Sequence, residues 1–273
     1  MSDADADPAR AELVAPKLVA PRGTCDTHMH FYDATRYADA PTAAFTPPDS
    51  TVENYKKLQQ RLGLERVVIV QPSSYGRDNA RMVLVVDDQT SPDELARLTA
   101  LGGRGARFFM LDGAPLPWDQ LEPVAASVHD HGWHIQLQMN GRDFADRADQ
   151  LSRLPGTLVV DHAGRFMDPV PLDHPSFKAL MRLIEGGNCW VKLSGPYMSS
   201  RAEPPLFDDL TASIRAMVEA APERMLWATN WPHPGHTGEY DEAMLLDTLL
   251  HWVEDEATRN RILVDNPAEL YGF

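Results

Sequence analysis

A chain of 273 residues, 43% of them hydrophobic, is long enough to bury the core of one large domain. Its formal charge of −15 disfavours nucleic acid and anionic membrane surfaces as partners. No run reaches the ~18 apolar residues of a membrane span, and the acidic, alanine-rich start lacks the apolar stretch of a secretory signal.

Residues 1–20 therefore read as a flexible leader ahead of a single domain at 21–273. Cys25 and Cys189 lie in apolar runs and read as buried thiols of a reducing cytoplasm rather than a disulfide. Short runs rich in Val, Ile and Leu mark strands at 24–30, 66–71, 83–87, 105–110, 133–139, 157–162, 189–194 and 224–230. Helical patterns fall between most of them, at 52–62, 92–101, 119–131, 143–153, 175–186, 207–221 and 241–253. Eight strand–helix units imply a parallel sheet closed into a (β/α)8 barrel of the TIM type, with its chemistry at the C-terminal strand ends.

The interval at 72–82 is too short to leave the barrel mouth, form a packing helix and return. The barrel is thus expected to be distorted, with the helix between strands two and three short or missing and at most one turn near 78–82. The outward side chains of 67–70 and 83–86 would then form an exposed apolar strip, which points to a homodimer.

The strand ends are polar. In TCDTHMHFYD, at 24–33, residues two apart share a face, so Asp26, His28 and His30 should project together. Strand two leads into Ser73, Tyr75 and Arg77, strand three into Asp87 and Asp88, and strand four carries Arg107. Strand five sets His134, Gln136 and Gln138 on one face. Strand six ends in Asp161, His162 and Arg165, and strand seven in Lys192 and Ser194, followed by Tyr197 and Arg201. Strand eight runs into TNWPHP, with Asn230 and His233.

HMH, QPSSYGRDN, VVDHAGR, VKLSGPY and TNWPHP, in this order over about residues 20–273, resemble the lactone-processing branch of the amidohydrolase superfamily. The resemblance implies the barrel, metal-independent lactone-ring chemistry, and substrates drawn from sugar acids or products of aromatic ring cleavage. The branch's lactonase has an aspartate, its water-activating base, where this chain has Asn230. Its isomerase of sugar-acid lactones has asparagine there and is also similar in the run YMSSR at 197–201.

Hydrolysis of a small carboxylate-bearing lactone is the first expectation and lactone isomerisation the second. A metal-assisted decarboxylase and a non-catalytic ligand-binding barrel are further alternatives. The catalytic candidates are His28, His30, His162, Asn230 and Asp26. Histidines would polarise the lactone carbonyl, and a neutral histidine, Asp26, Asp87 or Asp88 would serve as base. Arg107, Arg165 and Arg201, whose forked guanidinium suits carboxylates, are expected at the substrate with Tyr197, Ser73, Tyr75 and Gln138. No cofactor is expected; a single divalent ion such as zinc would fall to His28, His30 and His162.

Overall fold

The computed structural model describes residues 14–33, 35, 49–75 and 83–273. Eight parallel strands carry the fold. They are β1 (Cys25–Met29), β2 (Arg66–Ile69), β3 (Val83–Leu84), β4 (Gly105–Phe109), β5 (His134–Gln138), β6 (Leu158–Val160), β7 (Cys189–Leu193) and β8 (Met225–Trp227). Regular pairing runs β1–β2 and β3 through β8. A parallel bridge, Val70 with Val83, joins β2 to β3. On the other side His28 O accepts from Asn230 N at 2.8 Å, and Trp231 O accepts from His30 N at 2.8 Å, so β8 meets β1. The expected barrel is therefore present.

Seven helices fall where the apolar periodicity puts them: α1 (Val52–Leu62), α2 (Pro92–Ala100), α3 (Leu121–His129), α4 (Phe144–Ser152), α5 (Pro175–Glu185), α6 (Thr211–Ala220) and α7 (Glu242–Trp252). Several of their starts are capped by side chains. Thr51, Ser91 and Asp241 each accept from the first turn of α1, α2 and α7. A C-terminal pair, α8 (Glu256–Asn260) and α9 (Asn266–Tyr271), was not read from the sequence. It packs beneath β8, where Asn266 Nδ2 donates to the carbonyls of Pro222 and Met225 at 2.8 and 2.7 Å.

Two expectations need correction. Val83, Leu84, Val85 and Val86 are at most 3% exposed, and the half-buried Val67 and Ile69 pack against the main core, so among the described residues these side chains form no exposed apolar strip of the kind invoked for a homodimer. Within the expected leader, Leu18 is buried, and the backbone N–H groups of Lys17 and Leu18 donate to Asp247 at 3.1 and 2.8 Å. That stretch is docked on α7. The predicted turn near 78–82 lies outside the described residues; before it, Ser73–Tyr75 form a single 3-10 turn. Both cysteines are buried free thiols, and among the described residues no helix is long and apolar enough to cross a membrane.

Candidate active site

The barrel interior is layered. An apolar plug of Cys25, Val68, Val83, Val159, Trp190 and Leu226 closes the bottom. Above it lies the buried Lys192, whose Nζ donates to Gln136 Oε1 at 2.7 Å and Thr27 O at 2.8 Å and stands 3.6 Å from Asp161. Alternation along β5 and β7 builds this stack: His134, Gln136 and Gln138, like Trp190, Lys192 and Ser194, rise through successive layers. Burial pulls Lys192 down to about 8 against the opposing charge of Asp161.

At the top, His28 and His30 meet edge to face, with their Nε2 atoms 3.2 Å apart. His28 Nδ1 is 3.2 Å from Asp161 Oδ1, and His30 Nδ1 is 2.9 Å from the Val70 carbonyl. A carbonyl or carboxylate oxygen can only accept, so each ring must carry its proton on Nδ1. Gln136 Nε2 also lies 3.3 Å from His28 Nδ1, but it has its own acceptor in Asp161 Oδ2 at 3.1 Å. In their neutral forms the two rings thus aim both Nε2 lone pairs at one point. Burial, with the positive charge of Arg107, brings His30 down to about 3, and burial with Lys192 holds His28 well below its ordinary value.

His162 completes the trio, its ring centre 4.9 Å from that of His28. Its Nδ1 bonds Ser194 Oγ at 2.9 Å. A hydroxyl can donate or accept, so His162 can keep a proton on Nε2 without becoming charged. Burial and the neighbouring His28 hold it, too, well below its ordinary value.

Arg107 reaches this mouth from β4. Its guanidinium donates to Gln71 O and, at 2.9 Å, to Gln138 Oε1; among the described residues its Nε has no hydrogen-bond partner and no carboxylate pairs with it. Arg165, three-quarters buried, likewise has an unpartnered Nε and no ion pair among the described residues. Both arginines line a cavity of about 110 Å³ with His30, His162, Gln138 and Asn230.

Backbone strain gathers at the same place. Of the six non-glycine residues in the left-handed region among the described residues, five (His162, Ala163, Arg165, Asn230 and His233) lie in the turns after β6 and β8. Such conformations cost about 1–3 kcal/mol each and cluster at functional sites.

Asp26 does not join the histidines. A bulge between Asp26 and Met29 breaks the two-residue period, and the Asp26 carboxylate turns outward to Tyr55 OH on α1 and to Thr229 N and Oγ1, at 2.8, 3.0 and 2.6 Å. The carboxylate that orients an imidazole is Asp161 instead. Arg201 is also elsewhere: its side chain is 74% exposed and paired with Asp168.

Tyr75 is buried and accepts from Asp33 N at 2.8 Å, while its neighbour Tyr32 lines the cavity. Asp87 closes a turn with Thr90, and Asp88 is exposed. Tyr197 accepts from Asn230 Nδ2 at 2.9 Å, behind the cavity wall. The Ser73 side chain and all of Arg77 lie outside the described residues.

Among the described residues His28, Asp161 and His162 offer three donor atoms within 4.8 Å of one another, enough for a single divalent ion. The facing Nε2 atoms of His28 and His30 would suit such an ion as well. Against it stand two cations, Lys192 and Arg107, close to the one carboxylate.

A (β/α)8 barrel whose imidazoles, guanidinium groups and amide converge at the C-terminal strand ends has the layout of a barrel enzyme. The chain belongs to the amidohydrolase family, whose profile matches residues 25–273. It is 36% identical to D-galactarolactone isomerase of Agrobacterium fabrum over 275 residues, 94% of each chain. It is 33% identical to 4-sulfomuconolactone hydrolase of Hydrogenophaga intermedia, covering 94% of this chain and 91% of that one. A crystal structure of a probable 2-pyrone-4,6-dicarboxylic acid hydrolase from Acinetobacter baumannii, with citric acid bound, superposes with a TM-score of 0.80 at 25% identity. That match covers 92% of this chain and all of the other.

Proposed function

We propose that this protein hydrolyses a small lactone bearing at least one carboxylate. The observation that carries the reading is the juxtaposition of Arg107, a buried cation with no carboxylate partner among the described residues, and the Nε2 lone pairs of His28 and His30. An unpaired buried guanidinium is costly unless a ligand anion neutralises it. The names of the relatives agree: two act on lactones, and the third binds a tricarboxylate.

In this reading Arg107 and Arg165 hold the substrate carboxylate. His30 Nε2, neutral at pH 7, accepts a proton from water as the oxygen attacks the lactone carbonyl carbon. His162 donates from Nε2 to the developing oxyanion, a contribution of roughly 3 kcal/mol for such a donor. Collapse breaks the ring C–O bond, and the departing alkoxide takes the proton from His30, leaving a hydroxy acid. In this reading the polarising role expected of all three histidines falls to His162, and base catalysis to His30.

A divalent ion held by His28, His30 and His162 would supply Lewis-acid polarisation of the same carbonyl. The surrounding positive charge favours the reading without one.

Asn230 favours a second reading, isomerisation, in which a substrate hydroxyl replaces water as nucleophile. The test is a panel of carboxylated lactones followed by mass spectrometry. Hydrolysis adds one water to the product and isomerisation adds nothing; absence of turnover on every member would overturn both.

A further inference from the structure

Behind Asn230 runs a line of buried polar groups that the mechanism above does not use. Tyr197 OH accepts from Asn230 Nδ2 at 2.9 Å and lies 2.9 Å from His233 Nδ1. His233, 1% exposed, sets its Nε2 3.4 Å from Glu242 Oε1 at the start of α7, at ion-pair distance but poorly aligned for a hydrogen bond. Burial pushes the Glu242 carboxyl up, yet His233 and Arg61, 3.3 Å away, hold it below its ordinary value.

The line has a direction. Glu242 is anionic and can only accept, so His233 keeps its proton on Nε2. His233 Nδ1 then accepts from Tyr197 O–H, and Tyr197 oxygen is left to accept from the Asn230 amide nitrogen. The Asn230 amide oxygen is therefore left for the cavity, which Asn230 lines together with His30. With the line reversed, the amide nitrogen would face His30, donate to its lone pair and quench the base.

We infer that Glu242, His233 and Tyr197 are positioning residues that present the oxygen of Asn230, not its nitrogen, to the nucleophile. This deepens the hydrolytic reading and rests on it. A water between the two acceptors gives one hydrogen to His30 Nε2 and the other to Asn230 Oδ1, which leaves an oxygen lone pair for the carbonyl. The amide therefore holds the attacking water in place, although it cannot itself take a proton.

The test pairs kinetics with a tautomer measurement. Glu242→Gln removes the anion that fixes His233, and kcat should fall about tenfold while KM changes less than about twofold. In an Asn230→Asp background both carboxylate oxygens accept, so the same Glu242→Gln change should have no further effect on kcat. Equal losses in both backgrounds would mean that Glu242 only supports the fold.

Independently of activity, 15N shifts of the His233 ring, assigned with His233→Gln, should report a protonated Nε2 and a bare, hydrogen-bonded Nδ1. A proton on Nδ1 would overturn the inference. A wild-type enzyme with the expected His233 tautomer but no lactone turnover would instead count against the hydrolytic reading alone.

Discussion

Replacing Arg107 with methionine separates a ligand-binding cation from a structural one by the sign of two effects. The guanidinium gives up two hydrogen bonds, to Gln71 O and Gln138 Oε1, worth about 1.5–3 kcal/mol each because the donor is charged. Against that loss, removing a fully buried cation with no paired carboxylate among the described residues relieves a desolvation penalty of several kcal/mol. The two nearly cancel, and at about 2–4 °C per kcal/mol for a chain of this size Tm should move by no more than about 4 °C.

Binding has no such compensation. Two charge-assisted bonds to a ligand carboxylate are lost, about 3–5 kcal/mol, so affinity for a small polycarboxylate such as citrate should fall by a factor of about 10² to 10⁴. Thermal melts and titration calorimetry on the same preparations read both quantities. A Tm lowered by more than about 10 °C with citrate affinity unchanged would refute the argument and make Arg107 a prop for β2 and β5.

Other perturbations follow from the same geometry. Asn230→Asp should raise hydrolytic kcat with little change in Tm, because a carboxylate accepts from water at either oxygen and adds a base; a folded variant without hydrolytic activity would show that the amide itself is required. Arg201→Ala should leave kcat and KM within about twofold, since an exposed ion pair with Asp168 contributes about 0–1 kcal/mol at most.

Acid should unfold the protein early. His30 and His134 stay neutral to about pH 3 in the fold but protonate near 6.5 when unfolded. Protons therefore favour the unfolded chain between those values, and stability falls as pH drops through that window. At pH 5 the two histidines together cost about 4 kcal/mol, which chemical denaturation at pH 7 and 5 would measure; equal stability at both would contradict their burial as neutral rings. Protein prepared without added metal should carry well under one equivalent of zinc, and a chelator should not slow turnover; stoichiometric zinc by elemental analysis would shift polarisation of the carbonyl to the ion.

The barrel was legible because most strands are short apolar runs, and most helices between them carry an apolar stripe, several with a cap at their start. The pairing of His28 with His30 and the polar alternation along β5 were legible for the same reason: period two survives wherever a strand is regular. It fails at Asp26, where one bulge reverses the side chain, and nothing in CDTHM announces a bulge.

Asp161 and Lys192 were visible as strand-end residues. Their connection through Gln136 spans three strands, so only the closed ring reveals it. Arg201 was misplaced because a basic residue after a strand gives no sign of whether its loop turns in or out. Here Asp209 accepts from its backbone N–H at 2.7 Å and Asp168 takes the guanidinium outside. The α8–α9 segment was missed because ATRNRILVDNPAELYGF has no long apolar stripe, and its middle turn is a wider π-helical one at Arg261–Asp265.

The most direct test of the whole account is turnover of carboxylated lactones in 18O-labelled water by the metal-free protein. The account predicts a hydroxy-acid product with one labelled oxygen in the new carboxylate, and loss of that activity in His30→Gln with the fold intact. Decarboxylation of a panel member, or turnover that appears only when zinc is restored, would contradict it.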